Sequence, residues 1–153
     1  PILVFTADEI WENLPNRVEP SIHVAEFPTA SAQTDEALFA EWDGLFAVRD
    51  DVLRALEAAR IAKQIGSSLE ARVTLEASGS THELLQRHQT DLRYLFIVSQ
   101  VELREAEGAL GITIARASGE KCERCWNYST HVGESETYPT VCERCVAALN
   151  EIE

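Results

Sequence analysis

Four cysteines, the only ones in the chain, stand as Cys122-Glu-Arg-Cys125 and Cys142-Glu-Arg-Cys145, with sixteen residues between the pairs. Each Cys-x-x-Cys turn offers two sulfurs from one tight bend. The intervening loop is long enough to bring the second pair opposite the first, which is the spacing of a closed four-thiolate zinc site. Tetrahedral zinc with four thiolates has no open position, so such a centre is structural; a catalytic zinc keeps one place for water or substrate. Two disulfides are the competing use of these residues. No N-terminal stretch reads as a signal peptide, and cysteines confined to doubled Cys-x-x-Cys units favour a metal. A redox pair needs only one such motif. His131 lies between the knuckles and could replace one sulfur, although four thiols already stand at the right spacing.

The cations Arg116, Lys121 and Arg124 surround the first knuckle and Arg144 sits in the second. They offset the formal double negative charge of a zinc–tetrathiolate centre. Elsewhere the chain lacks catalytic signatures. It has no Gly-x-x-x-x-Gly-Lys-Ser/Thr phosphate loop and no Gly-x-Ser-x-Gly nucleophile elbow. His23, His82, His88 and His131 are scattered, and no constellation for catalysis emerges.

Stepping outward, 153 residues suffice for one ordinary domain, or for a core with a small metal-stapled appendage. The chain contains no methionine and starts at an apolar Pro1-Ile-Leu-Val-Phe5, which leads to the expectation of a C-terminal piece of a longer protein. The net charge of −13 argues against a free-standing nucleic-acid binder, since phosphate binding needs a basic face, but it allows a local basic patch. Acidic residues concentrate in the middle, at Asp35, Glu36, Glu41, Asp43, Asp50, Asp51 and Glu57. No apolar run approaches the ~20 residues of a membrane span.

The elements that must position the knuckles follow from periodicity. Thr6-Ala-Asp-Glu9 has the form of a capping box opening a short helix through Ile10, Trp11 and Leu14 that stops at Pro15, with Ile2–Phe5 ending an earlier helix. Ser21–Pro28 reads as extended, with Ile22 and Val24 alternating against His23 and Ala25. Leu38, Trp42, Leu45, Val52 and Leu56 recur at helical spacing from about Asp35 to Ile65, with Phe39, Phe46 and Leu53 widening the stripe and Gly66 placed to end it. Arg49, Arg60 and Lys63 run along this helix, as stems flanking the core rather than a basic row facing RNA. Leu69–Ala77 alternates as a half-buried strand, and Thr81–Gln89 is helical. Leu92–Val98 fits either state, and Val101–Arg104 and Ile112–Ala115 are strands.

The segment Lys121-Cys-Glu-Arg-Cys-Trp-Asn-Tyr128, with Cys142-Glu-Arg-Cys145 after it, resembles the C-terminal zinc tail of bacterial-type isoleucyl-tRNA synthetases. Other segments resemble the same family in order. Pro1–Trp11 is similar to the end of the helical anticodon-binding domain of class I synthetases, and Ser21–Pro28 to the connector after it. Ala59-Arg-Ile-Ala-Lys-Gln-Ile-Gly-Ser-Ser-Leu-Glu-Ala71 and Leu95–Leu103 are similar to the junction that follows. The resemblance implies an α+β chain. Residues 1–32 would end the helical anticodon-binding domain and carry the extended connector. Residues 33–117 would form a helix and antiparallel-sheet junction domain, and 118–153 a zinc-binding tail.

By the same resemblance, the parent activates isoleucine with ATP and attaches it to its tRNA. Its nucleotide-binding signatures are absent here, so this piece binds no ATP and is non-catalytic, holding one structural zinc. Its partners are isoleucine tRNA, gripped on the anticodon side, and the other domains of a cytoplasmic, monomeric parent, with no membrane. Cys122, Cys125, Cys142 and Cys145 are the metal ligands. Trp126 can stack on an unpaired base or cover the metal as an apolar lid. Arg124, Arg144, Lys121 and Arg116 are candidates for RNA contact, or else donors to cysteine sulfur or solvated surface. Tyr128 and Tyr138 are weaker choices. Two other functions fit the knuckles: the zinc-finger DNA-binding tail of a formamidopyrimidine-type DNA glycosylase, and a purely structural or protein-interaction tail.

Overall fold

The computed structural model describes residues 2–29 and 35–152. The chain divides into two compact units, residues 1–34 and 35–153. The expected boundary at 32/33 lies outside the described residues. The junction and the zinc tail, expected to part at 117/118, fall within the second unit.

In the first unit, helix α1 (Val4–Glu12) begins at Leu3, with no side-chain cap. Ala7 already donates to the Leu3 carbonyl at 2.7 Å, so Thr6 lies inside the first turn. The capping box at Thr6 and the earlier helix ending at Phe5 are therefore corrected: the apolar Val4 and Phe5 supply the first helical turn themselves. The helix stops three residues before Pro15, whose ring disfavours helix in the residue before it. Ser21–Pro28 forms no strand. Ser21 instead accepts from the His23 N–H at 3.2 Å and caps a single 3-10 turn, Ile22–Val24. Alternation without a partner strand has no ladder to stabilise it, and a serine at the head of a turn competes locally for the backbone. Ser21 also donates to Asp8 at 2.5 Å, and the Trp11 indole donates to the Glu19 carbonyl at 2.9 Å.

In the second unit, helix α2 (Glu36–Ile61) is capped by Asp35, whose carboxylate accepts the Leu38 N–H at 3.1 Å. Its buried seam is Leu45, Val48, Val52, Leu56 and Ala59. Of the expected stripe, Leu45, Val52 and Leu56 are buried. Leu38, Trp42, Phe39 and Phe46 remain 39–57% exposed and Leu53 36%, because they lie outside the seam that packs into the core cluster with Val73, Leu75, Leu85 and Phe96. Helix α2 ends at Ile61, and the left-handed residue that stops it is Lys63, not Gly66. Lys63 takes a left-handed φ of 58° and donates to Arg60, while Gln64 donates back to Ala59, closing the last carbonyls in a Schellman turn. Arg49 lies along the core edge and donates to the Leu95 carbonyl at 3.1 Å.

Strand β1 (Ala71–Ala77) is central in a three-stranded sheet, β2-β1-β3, with β2 at Gln100–Glu105 and β3 at Gly111–Arg116. Ala71, Val73, Leu75 and Ala77 are buried, while Arg72, Thr74 and Glu76 face outward, as the alternation requires. The sheet is mixed. β1 pairs antiparallel with β3 but parallel with β2, so the antiparallel expectation holds for one pairing only. Helices α3 (Gly79–Arg87) and α4 (Leu92–Phe96) provide the crossover that parallel pairing needs. The run Leu92–Val98 resolves into α4, with Leu92 and Phe96 buried beside Leu85 and Val98 in the core of α2 and β1. Each such buried side chain contributes ~1.5–3 kcal/mol.

Candidate metal centre

Beyond β3 the chain makes a ribbon of two short antiparallel strands, β4 (Glu120–Lys121) and β5 (Tyr128–Ser129), then a loop and helix α5 (Glu143–Asn150). The first knuckle joins β4 to β5. The second opens α5, with Cys142 at its N-cap and Cys145 in its first turn. The Cys122 sulfur accepts the N–H groups of Cys125 at 3.5 Å and Cys142 at 3.3 Å, so backbone from both knuckles points at one sulfur.

All four sulfurs lie within 4.8 Å of one another, and those of Cys125 and Cys142 are 3.6 Å apart. Zinc–sulfur bonds of ~2.3 Å in a tetrahedron set sulfurs ~3.8 Å apart, so the cluster fits a four-thiolate zinc with little adjustment. Cys122 and Cys145 are fully buried, Cys142 nearly so, and Cys125 is half-buried. Val141 completes the small core with half-buried Val132, Tyr138, Val146 and Leu149. Burial raises the Cys142 thiol to about 12. Burial also acts to raise Cys125, but hydrogen bonds from Asn127 outweigh it and its pKa falls to about 6. Zinc supplies the charge that keeps all four deprotonated. His131 stands aside, half-exposed and paired with Glu134 at 3.0 Å.

The surrounding cations are unusual in what they touch. Arg54, Arg60, Arg72, Arg87, Arg104 and Arg116 each pair with a carboxylate. Around the metal centre the partners are sulfur and aromatic faces. Arg124 donates to the Cys145 sulfur at 3.7 Å, and Lys121 Nζ stands 5.2 Å from the Trp126 ring centroid. Arg144 lies 5.8 Å from the Tyr94 ring centroid, its pKa raised by the Tyr94 hydroxyl and the Cys125 sulfur. Arg116 is set apart, bound to Glu70 at 3.3 Å.

Trp126 is 60% exposed and carries a left-handed φ of 64°, with its N–H donating to the Cys122 carbonyl at 2.9 Å. That conformation costs a non-glycine residue on the order of 1–3 kcal/mol. Tyr128 uses its backbone N–H to reach Ser99, and Tyr138 joins the small core.

A cleft of about 190 Å³ separates the ribbon and α5 from the sheet, lined among others by Arg93, Ser129, His131, Glu143 and Arg144. Arg93 and Tyr94 were not singled out in the sequence. They sit inside the apolar run Leu92–Val98, where only the resolution of α4 reveals which side chains turn outward.

The chain matches two family descriptions: "Anticodon-binding domain of tRNA ligase" over residues 1–75 and "Zinc finger found in FPG and IleRS" over residues 119–148. It is similar to an isoleucine–tRNA ligase of Syntrophotalea carbinolica, 48% identical over 99% of this chain and 18% of the relative. Those of Geobacter sulfurreducens and Gloeobacter violaceus are 45% and 48% identical over 97% of the chain. The chain thus spans less than a fifth of the length of these curated relatives. Among the described residues, no helix is long and apolar enough to cross a membrane.

Proposed function

Because this chain belongs to the isoleucine–tRNA ligase family, we propose that it is the tRNA-gripping, non-catalytic part of such a ligase. It holds the anticodon side of isoleucine tRNA while ATP-dependent activation and ester transfer take place in other domains. The observation that carries this reading is the set of cations around the zinc centre. In a chain of net charge −13, Lys121, Arg124, Arg93 and Arg144 rest on rings and sulfur instead of carboxylates. They remain available for RNA phosphates and bases.

In this reading Cys122, Cys125, Cys142 and Cys145 ligate one zinc that has no open position and serves to rigidify the tail. Trp126, exposed and braced by Lys121, stacks on an unpaired anticodon-loop base. Arg124 serves the metal through Cys145 as much as RNA, and Arg116 is the weakest of the candidates because Glu70 already neutralises it. The protein acts as a monomer in the cytoplasm, where its substrate tRNA is charged. The zinc-finger description alone is shared with FPG proteins; the relatives, matched over nearly the full chain, favour the ligase over a DNA-glycosylase tail or a purely structural tail.

The test is direct binding of this chain, zinc-loaded, to isoleucine tRNA, to a non-cognate tRNA and to duplex DNA of similar length. Preference for the cognate tRNA is expected. Equal affinity for duplex DNA, or no binding to any of the three, would refute the assignment.

A further inference from the structure

Tyr94 does not offer a free face for stacking, because two guanidinium groups already occupy its surroundings. Arg93 Cζ lies 4.7 Å from the ring centroid and its Nη2 donates to the Tyr94 hydroxyl at 2.6 Å; Arg144 Cζ lies 5.8 Å from the same centroid. One tyrosine, 50% exposed, therefore carries two arginines from different elements, α4 and α5. Neither makes an ion pair among the described residues. Both line the cleft between the sheet and the zinc tail.

The backbone beneath them is fixed at a cost. Ile97 has a left-handed φ of 57° and ψ of 53°, a conformation that β-branched residues rarely adopt. This turn lets Ile97 donate to the Tyr94 carbonyl and Val98 to the Arg93 carbonyl, at 3.2 and 3.0 Å. The strained residue thus holds Arg93 and the tyrosine on which both guanidinium groups rest.

The lining of this cleft is otherwise of mixed polarity. Glu143 accepts from the Ser129 hydroxyl at 2.7 Å and lines the cleft with Arg93 and Arg144. The Cys125 and Cys142 sulfurs also border the cleft. A simple anion would meet this carboxylate and these sulfurs as well as the arginines. A ribonucleotide matches this lining: a phosphodiester for two arginines and a hydroxyl for a carboxylate acceptor.

We propose that Arg93 and Arg144, carried on Tyr94, bind a phosphodiester of single-stranded RNA whose ribose 2′-hydroxyl donates to Glu143. The site rests on the tRNA-binding reading above and adds to it a recognition of ribose, on a different surface from Trp126. It selects RNA over DNA backbone without reading a base.

The experiment measures affinity of the zinc-loaded chain for a hairpin RNA carrying an isoleucine anticodon loop, and for the same hairpin with 2′-deoxy loop residues, across a salt series. Arg93→Gln changes no zinc ligand and, with zinc content confirmed, is expected to weaken RNA binding about tenfold, equivalent to ~1.4 kcal/mol, and to lower the salt slope by ~0.7. Arg144→Gln should act alike, with zinc content measured alongside. Glu143→Ala should shrink the preference for RNA over the deoxy hairpin while keeping zinc. Arg104→Gln, whose arginine pairs with Glu102, is the control and should change nothing.

Unchanged affinity and slope in Arg93→Gln, with Trp126→Ala still weakened, would overturn this site and leave the tRNA reading standing. Failure of the wild-type chain to bind the hairpin would overturn both. A lowered slope in Arg93→Gln with an unaltered RNA preference in Glu143→Ala would keep the phosphate contact and remove the ribose contact.

Discussion

The Ser99 hydroxyl accepts the backbone N–H of Tyr128 at 2.7 Å while donating to the carbonyl of Leu69. This buried side chain ties the zinc ribbon to the entrance of the sheet. The next residue adds a second tie: the Gln100 side-chain amide donates to the Ser118 carbonyl and accepts the Ser118 N–H, both at 2.9 Å. The orientation of the metal centre against the sheet is thus set by polar contacts on β2, not by a shared apolar core, since the two apolar clusters are separate.

Ser99→Ala is expected to lower stability by ~1–3 kcal/mol, because a buried N–H and a buried carbonyl both lose their partner. Zinc stays bound, since no sulfur is touched. Faster hydrogen exchange at the Tyr128 amide, with unchanged zinc content, is the check; unaltered exchange would show that the tie is dispensable.

Zinc should bind once per chain, and its removal should disorder the region from Cys122 to Cys145 while leaving most helical circular dichroism. Metal binding supplies ~10–16 kcal/mol in small zinc peptides, whereas the tail core is small. The α2–sheet core has its own buried side chains and no metal. Cooperative loss of all structure on chelation would contradict this separation.

Trp126→Ala should weaken tRNA binding by ~1–3 kcal/mol with little change in salt slope and normal zinc retention, as suits an exposed stacking residue. Arg124→Ala should instead release zinc faster to a competing chelator, because it removes the donor to the Cys145 sulfur. Zinc release rates that rank the two variants in the opposite order would reassign the roles.

Gly119→Ala should destabilise the ribbon by at least ~1–3 kcal/mol. Gly119 has a φ of +89°, and an added Cβ would stand 2.3 Å from the Ser129 carbonyl carbon and oxygen. Those are backbone atoms of β5 and its exit and cannot swing aside. Thermal unfolding followed near Tyr128 measures the loss; a variant as stable as wild type would mean the crossing loosens without cost.

Glu41 links α2 to α3 through Arg87 at 2.9 Å and His88 at 3.1 Å. The hydrogen bonds from Arg87, with the His88 ring beside it, hold the Glu41 carboxyl below the usual glutamate range. A lowered folded pKa means stability present above the unfolded value and lost as pH falls through the folded one. Glu41→Gln should therefore cost a small amount of stability at neutral pH and nothing in strong acid. Denaturant midpoints of both proteins against pH test this, and parallel curves would count against it.

The metal centre was legible because its information is local and chemical. Two Cys-x-x-Cys turns at the right separation specify a tetrahedral sulfur set whatever surrounds them, and the alternation of Val73 and Leu75 specifies a face of β1 in the same way. The seam from Leu45 to Leu56 is legible by period, yet the same period continues through Leu38 and Trp42, which stay exposed. Periodicity states which residues share a face; only the position of the sheet states how much of that face is covered. Local capping signals failed for a related reason. Thr6 and Gly66 had suitable neighbours, but α1 began a turn earlier and α2 ended at Ile61, where the Schellman bonds outweigh the cost of a left-handed Lys63. The partner of β1 on each side, and the meeting of Arg93 and Arg144 on Tyr94, join residues far apart in the chain. The sequence determined the zinc and the family; packing of α4 against the sheet decided which cations face the cleft, since side-chain direction follows from burial and not from residue type.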